Sequence, residues 1–215
     1  MKNRFLHGFF IIWISLSSAY AQKSGAQASV FFTTKAQDTV KMGETLTEKD
    51  TTGSKSLKNR IKPMQANFKS INSVTKWTSV KKKDIEGESA EGGEATFYYT
   101  DKGLEKVIAR HYGEMGQMLI EYYLMNGQLS FVFEKEYRYN RPLFYDTKAM
   151  KENNDMEAFD LKKSKVIMTR NYFENGNIIM ITNTTGRGFN ISADYPYEQE
   201  KNLTESFKKL LKLAN

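Results

Sequence analysis

The chain has 215 residues, with 32 lysine and arginine side chains against 25 aspartate and glutamate side chains, and no cysteine. The lack of cysteine excludes disulfides and thiolate metal sites. Because the basic residues are interleaved with acidic ones rather than gathered in a stripe, the formal charge of +7 does not indicate nucleic acid as a partner, and only attraction to an anionic surface stays open.

The first 21 residues have the three-part pattern of a secretory signal. Lys2 and Arg4 precede an apolar run over residues 5–16, and small residues lead to Ala19 and Ala21 at the positions read by a signal peptidase. A helix that crosses a bilayer needs about 20 apolar residues, and this run is shorter. We expect cleavage after Ala21, export to the periplasm or the medium, and no transmembrane segment in the mature chain.

The next segment, residues 22–60, is dominated by lysine, threonine, serine, glycine, glutamate and glutamine. Such a composition buries too little apolar surface to offset the entropy lost on ordering, so a flexible polar lead is expected here. The remaining residues, 61–215, are of the length of a single domain.

Residues 61–76 carry the pattern of an amphipathic helix. Pro63 stands where a first-turn proline is tolerated, and the helix is expected to end before Trp77. Apolar residues follow at spacings of four, three and three, at Met64, Phe68, Ile71 and Val74.

The charged block at residues 80–95, VKKKDIEGESAEGGEA, is predicted to be a loop. Calcium prefers several oxygen ligands, and four glutamates are candidates, at Glu86, Glu88, Glu91 and Glu94. The block lacks the alternating Asp/Asn ligands and the fixed glycine of an EF-hand loop, so a solvated acidic turn is the favoured interpretation.

A tyrosine followed four residues later by glycine occurs four times, at Tyr99, Tyr112, Tyr123 and Tyr172. Tyrosine favours strands, and two copies carry the Asn-Gly pair of tight hairpins, so each copy predicts a strand, a turn and a second strand. The spacing predicts an antiparallel meander over residues 95–100, 104–112, 117–125 and 128–139, and a separate hairpin over 165–172 and 178–183.

Two of these units, YYLMNGQL and YFENGNII, resemble the aromatic-aromatic-x-Asn-Gly-x-apolar unit of MORN-like repeat proteins. The glycines at positions 103, 127 and 176 are 24 and 49 residues apart, which is compatible with one and two periods of such a repeat. The resemblance covers the hairpins alone. It implies an extended sheet that contacts proteins or lipids, with no catalytic residue to carry over.

A second amphipathic helix is predicted from Pro196, with Asp194 as a possible N-cap. Its apolar positions are Leu203, Phe207, Leu210, Leu211 and Ala214, and lysines near its end suit the helix dipole. A helix on a membrane surface would look similar, but the meander needs a cover for its apolar face. We therefore predict an α+β fold, an antiparallel meander packed by an N-terminal and a C-terminal amphipathic helix.

Catalytic chemistry has few candidates. His111 is the one histidine left after the signal is removed, and no nucleophile motif accompanies it. A carboxylate pair of the glycosidase type would come from Glu121, Glu134 and Asp146, although carboxylates on strands more often pair with lysine or arginine. The glycines of TTGRGFN do not match a phosphate-binding motif. No catalytic residue, metal or cofactor is predicted.

The aromatic stretch at residues 122–146 is predicted to combine a core wall with a contact surface. By alternation, one strand face carries Leu129, Phe131, Phe133, Tyr137 and Tyr139. Residues 129–133 are expected to be buried, and residues 139–145 are expected to include rings that face solvent. Tyrosine and arginine are common anchors of binding surfaces. The predicted binding residues are Tyr137, Arg138, Tyr139, Arg141, Phe144, Tyr145 and Asp146.

These patterns favour an exported, non-enzymatic binding or interaction domain whose partner is a protein or an envelope component. Two alternatives stay open at this point: an envelope-associated structural protein and a carboxylate-dependent hydrolase.

Overall fold

The computed structural model describes residues 55–87, 91–183 and 195–215. The predicted signal peptide, the lead as far as residue 54, Glu88, Asp194 and the TTGRGFN segment lie outside the described residues. The elements are α1 (Lys55–Asn72), β1 (Ser79–Ile85), β2 (Gly93–Thr100), β3 (Gly103–Gly113), β4 (Gly116–Met125), β5 (Gln128–Arg138), α2 (Thr147–Glu152), a 3-10 turn (Leu161–Lys163), β6 (Lys165–Glu174), β7 (Asn177–Asn183) and α3 (Tyr195–Ala214).

The seven strands form one antiparallel sheet in which every strand lies beside its neighbour in sequence. The α+β class and the antiparallel meander are therefore confirmed. The hairpin of β6 and β7 is not separate, because β6 pairs with β5 along eight residues from Phe131 to Arg138.

The first strand of the sheet was missed, because all of β1 except Ser79 lies in the block predicted to be a loop. Lys81, Lys82 and Lys83 are all exposed, so β1 shows no alternation of apolar and polar residues. Its order comes from backbone pairing with β2. A strand at a sheet edge can keep charged side chains in water on both faces, and lysine is common there.

Positive φ angles shape two of the hairpin turns. Asn126 and Gly127 have φ of 55° and 77°, and Asn175 and Gly176 have φ of 52° and 82°. Two successive residues with positive φ form the type I′ turn, whose twist matches that of the flanking strands. All four intervals from tyrosine to glycine span a hairpin turn of the sheet.

A bulge in β5 changes the predicted alternation. Tyr123 pairs with Phe131, and Leu124 pairs with Leu129, so Ser130 is an extra residue between the two pairs. Leu129 consequently joins the cluster beside α3, on the face opposite Phe131. The expected shared face of Leu129 and Phe131 is wrong for this reason. Burial is as predicted for residues 130–133, and Leu129 is half-buried.

On one face of the sheet, α3 completes an apolar core. Its buried residues are Leu203, Phe207, Leu210 and Ala214, at the predicted helical spacing. The rings of Phe207 and Tyr122 stack at 5.2 Å. Strand residues of the same cluster include Phe97, Val107, Tyr122 and Val132. Each large buried side chain contributes about 1.5–3 kcal/mol through removal from water.

The opposite face carries contacts with α1, whose buried residues are Ile61, Met64, Phe68 and Ile71. The Phe68 ring lies 4.6 Å from the Tyr123 ring and 5.0 Å from the Phe131 ring. Asn67 Nδ2 donates a hydrogen bond of 2.8 Å to the Leu124 carbonyl. These contacts fix the rotation of α1 about its axis, since the polar Asn67 and the apolar Phe68 each meet a matching partner.

The start of α1 differs from the prediction. The helix begins at Lys55, eight residues before Pro63, so Pro63 lies inside the helix rather than in its first turn, and the helix ends before Val74. An interior proline leaves the Asn59 carbonyl without a helical donor. Asn59 and Pro63 are both exposed, so water can hydrate that carbonyl.

The packing of α3 makes a stability prediction. Phe207→Ala is expected to lower the free energy of unfolding by about 3–5 kcal/mol, because it leaves a cavity beside Tyr122. Tyr197→Ala, on the same helix, is the control, since Tyr197 is 69% exposed and should change stability by less than about 0.5 kcal/mol. Urea denaturation measures both. Equal losses in the two variants would contradict the packing of α3.

Candidate functional site

Residues 139–164 form an insertion between β5 and β6 that is hydrogen-bonded to the β3–β4 turn. The Tyr139 amide donates to the Met115 carbonyl at 2.9 Å, and the Leu143 amide donates to the Glu114 carbonyl at 2.8 Å. These backbone bonds seat the insertion on one end of the sheet.

Polar side chains organise the inside of the insertion. Asp146 is the N-cap of α2 and accepts hydrogen bonds from the amides of Lys148 and Ala149 at 2.9 and 2.8 Å. Asn140 Nδ2 donates to the Ala158 carbonyl at 2.9 Å, and the Asp160 amide donates to Asn140 Oδ1 at 2.9 Å. Asp146 and Asn140 therefore hold the loop rather than offering free groups to a ligand.

Arg141 and Tyr145 converge on Asp155. Arg141 Nη2 lies 2.7 Å from Asp155 Oδ1, and the Tyr145 hydroxyl donates to Asp155 Oδ2 at 3.2 Å. The Arg141 guanidinium lies 5.9 Å from the centre of the Tyr145 ring. Asp155 consequently ties the first part of the insertion to its middle.

The other predicted binding residues have different environments. Tyr137 is buried, so its ring is not part of the surface. Tyr139 packs edge-on against Phe159, with ring centres 5.1 Å apart. Arg138 is exposed and pairs with Glu136, with Nε to Oε1 at 2.6 Å.

Phe144 is the residue of the predicted set that presents a ring to solvent, at 75% exposure. This confirms that residues 139–145 include a solvent-facing ring. Phe144 adjoins Leu143, which bonds to the β3–β4 turn, and Tyr145, which bonds to Asp155. Met115 follows Glu114, which accepts the hydrogen bond from Leu143, and Met156 follows Asp155, which accepts the hydrogen bond from Tyr145. Met115 is 55% exposed and Met156 is 94% exposed. Met115, Phe144 and Met156 are called the insertion surface below.

The carboxylates proposed for a hydrolase are not brought together. Glu121 pairs with Phe133 and its neighbour Ile120 pairs with Glu134, so the side chains of Glu121 and Glu134 point to opposite faces of the sheet. Asp146 caps α2 in the insertion. His111, in β3, pairs with Gly93 and Met118, on the face that α3 covers. The structure therefore gives no support to a carboxylate pair made from these residues.

Near the C-terminal end of α1, the sheet contains a buried ion pair that sequence reasoning missed. Lys106 is 3% exposed and Glu121 is 2% exposed, with Nζ to Oε2 at 2.8 Å. The Tyr123 hydroxyl also donates to Glu121 Oε2. Lys106 Nζ donates to Asn72 Oδ1 at 2.9 Å, and Asn72 Nδ2 donates to the Tyr123 oxygen at 3.0 Å. Burial, and then the neighbouring Glu121 charge, raise the pKa of Tyr123 well above its usual range.

This network joins α1 to the sheet, because Asn72 is the last residue of α1. Glu121 Oε1 is buried and has no hydrogen-bond partner among the described residues, so the carboxylate depends on Lys106 and Tyr123 for its compensation. One signal was present in the sequence. Glu121 is an isolated charge in the apolar run MLIEYYLM of β4.

Glu134 is a second largely buried carboxylate, on the face that α3 covers. Asn171 Nδ2 and Gln199 Nε2 donate to its Oε2 at 2.8 and 2.6 Å. Burial raises the pKa of Glu134, and the two amide donors offset part of that rise. Burial and then the charge of Glu134 raise the pKa of Tyr195, at the start of α3.

The acidic turn considered for calcium borders a cleft of about 440 Å³, which is lined by Asp84, Glu86, Glu91, Glu94 and Tyr112 among others. Burial and then the Glu94 charge raise the pKa of Tyr112. Within residues 55–87, 91–183 and 195–215, no three histidine, aspartate or glutamate side chains are placed to hold a metal ion. The cleft therefore carries no metal assignment.

None of the described helices is both long enough and apolar enough to cross a membrane. A comparison with known proteins finds no matching family model, no matching curated protein and no matching solved structure. The resemblance of the hairpins to MORN-like repeats therefore stays a prediction.

The ion pair of Lys106 and Glu121 is expected to be costly to break. Lys106→Met should lower the free energy of unfolding by about 3–5 kcal/mol, because it leaves the Glu121 charge buried without its cation. The double variant Lys106→Met, Glu121→Leu should recover most of this loss. Lys102→Met, in the exposed β2–β3 turn, is the control. Urea denaturation measures the free energy of unfolding of each variant. If Lys106→Met is as stable as the original protein, the account is contradicted.

Glu134 is expected to make stability depend on pH. Because its pKa is raised in the folded state, the folded protein binds the proton more tightly, and stability falls as pH rises from the ordinary glutamate pKa through the raised one. Glu134→Gln should therefore be more stable than the original protein at pH 7, and the difference should shrink as the pH falls below about 4. Thermal unfolding between these pH values measures this.

Glu205→Gln is the control for Glu134, because Glu205 is exposed on α3. A gain in stability of the same size for Glu205→Gln, or a Glu134→Gln difference that does not change with pH, would contradict the assignment.

Proposed function

We propose that the protein is an exported, non-enzymatic domain that binds a protein of the cell envelope through the insertion surface. The exposed ring of Phe144 carries this proposal. Contact residues often lie on loops that a rigid scaffold positions, and aromatic rings are common anchors of interfaces.

The insertion is held in place before any partner binds. Backbone bonds to Glu114 and Met115 fix its first residues, and Asp155 ties Arg141 to Tyr145. An interface that is already ordered loses less conformational entropy on association. Arg141 and Tyr145, which were predicted to contact a partner directly, thus have a different role in the proposal, because they position Phe144.

Charged side chains lie within the insertion and next to it in the chain. Arg138 pairs with Glu136, Lys163 pairs with Glu157 at 2.8 Å, and Lys148 is 80% exposed in its side chain. An apolar centre with a polar rim is the usual anatomy of a protein interface. The mixed signs of these charges favour a protein over a uniformly charged polymer.

The rest of the fold supports the same assignment. We take α1 and α3 to act as the covers of the two sheet faces, which leaves the strand ends and the sheet edges as the surface that is open to partners. The signal pattern of residues 1–21 supports a location outside the cytoplasm, and the MORN-like resemblance of the hairpins also implies contact with other molecules.

Affinity capture tests the proposal. The mature chain, immobilised, is exposed to detergent-solubilised envelope extract, and bound proteins are identified by mass spectrometry. A partner recovered by the original chain should be recovered at least tenfold less by Phe144→Ser, Met156→Ser, because the loss of a central anchor costs about 2 kcal/mol or more. Thermal unfolding should show that the double variant is as stable as the original chain, since both side chains lie in water.

Tyr197→Ser is the matched control, because Tyr197 is a similarly exposed ring on α3, outside the insertion. Its capture should equal that of the original chain. Capture of no specific protein, or capture that Tyr197→Ser abolishes and the insertion variant leaves intact, would contradict the proposal.

A further inference from the structure

The outer edge of β1 is an unoccupied strand edge in the described part of the chain. Among the strands of residues 55–87, 91–183 and 195–215, β1 is the first of the sheet and pairs with β2 alone. In an antiparallel pair, the N–H and C=O groups of alternate residues point away from the partner strand, so β1 presents a row of such groups outward.

The side chains of this edge are positively charged on both faces. Lys81, Lys82 and Lys83 are consecutive and exposed, and neighbouring residues of a strand point to opposite faces. In the register with β2 they face Phe97, Thr96 and Ala95, so no β2 carboxylate lies directly opposite any of the three.

The end of α3 adds further positive charge beside β1. Lys81 Nζ donates to the Ala214 carbonyl at 3.4 Å, which places the last turn of α3 next to the strand. The exposed residues Lys208, Lys209 and Lys212 lie in the last two turns of that helix. Their summed field attracts anionic groups to this edge.

The charge of β1 selects among possible strand partners. A second copy of β1, paired antiparallel, would bring lysines against lysines, and like charges directly opposite each other are unfavourable. A neutral strand would gain backbone hydrogen bonds but would place no carboxylate opposite the lysines. An acidic strand gains both kinds of contact.

We propose that β1 binds an extended acidic segment of a partner protein by strand addition. Three successive carboxylate residues lie opposite Lys81, Lys82 and Lys83, and an apolar residue lies opposite Val80, which is 49% exposed. Asp84 ends the basic run and fixes the register, because a carboxylate opposite it would be repelled. In strand addition the main chain supplies the affinity and the side chains supply the selectivity. This surface is separate from the insertion surface.

A designed peptide tests the proposal. Fluorescence anisotropy is measured with the labelled peptide Thr-Val-Glu-Glu-Glu-Val-Thr and the mature chain. The peptide should bind. Its affinity should fall at least tenfold when the alternate backbone nitrogens that face β1 are methylated, and at least tenfold when lysines replace its glutamates. Hydrogen exchange should show increased protection of the β1 amides on binding.

Charge-reversal variants locate the site. Lys82→Glu, Lys83→Glu should lower the affinity at least tenfold, whereas Lys148→Glu, Lys151→Glu changes the net charge equally on α2 and should leave it within twofold. Lys82→Ser, Lys83→Ser replaces the first variant if circular dichroism shows that the first variant is not folded. Phe144→Ser should not alter the peptide affinity, which separates this test from that of the insertion surface.

Four outcomes would overturn the proposal. The first is that the acidic peptide does not bind at millimolar concentration, and the second is that the backbone-methylated peptide binds as tightly as the unmethylated one. The third is that the α2 variant loses as much affinity as the β1 variant. The fourth is that vesicles containing phosphatidylglycerol displace the peptide fully and the β1 amides show no protection. The last outcome would identify an anionic lipid surface as the occupant.

Discussion

Burial of both faces of the central strands is the constraint on which the rest of this structure depends. In β4, six consecutive residues from Leu119 to Leu124 are buried, so side chains that point to opposite faces are both removed from water. One face is sealed by the stacking of Tyr122 on Phe207 of α3, and the other carries the contacts of Tyr123 with Phe68 of α1. A sheet with one solvated face would show strict alternation instead.

The buried charges follow from that constraint. Glu121 lies within the buried run, so its carboxylate must find compensation inside the protein, and Lys106 and Tyr123 supply it. Asn72 is hydrogen-bonded to both of these partners. A network of this kind does not by itself add stability relative to an apolar core, but it penalises any arrangement that separates its members. We infer that it fixes the position of the end of α1 on the sheet.

The two surfaces that we propose for partners lie where the meander stops. In the insertion, the exposed residues Phe144 and Met156 adjoin Tyr145 and Asp155, whose side chains are hydrogen-bonded to each other, and β1 carries three exposed lysines. These two surfaces differ in chemistry. The first offers apolar side chains on a fixed loop, and the second offers a free backbone edge and lysines, so they suit different segments of partners.

The sequence by itself determined the elements whose signals are local. The Asn-Gly pairs have one favourable hairpin geometry, which explains why the turns of β4–β5 and β6–β7 lie where they were predicted. Strands β2 to β7 all lie within a few residues of their predicted bounds. The spacing of Leu203, Phe207 and Leu210 likewise predicted the buried stripe of α3. The sequence also indicated that the aromatic stretch divides into a buried strand and a loop with an exposed ring.

Only the tertiary structure decided the features that depend on neighbours distant in sequence. β1 carries no apolar alternation and is ordered by pairing with β2, and the extra residue Ser130 moved Leu129 to the face of α3. Tyr137 and Arg141 have the residue types of binding anchors, yet burial removed the first from the surface and Asp155 engages the second. Residue type sets which contacts a side chain can make, and packing across the chain decides which of those contacts are already made.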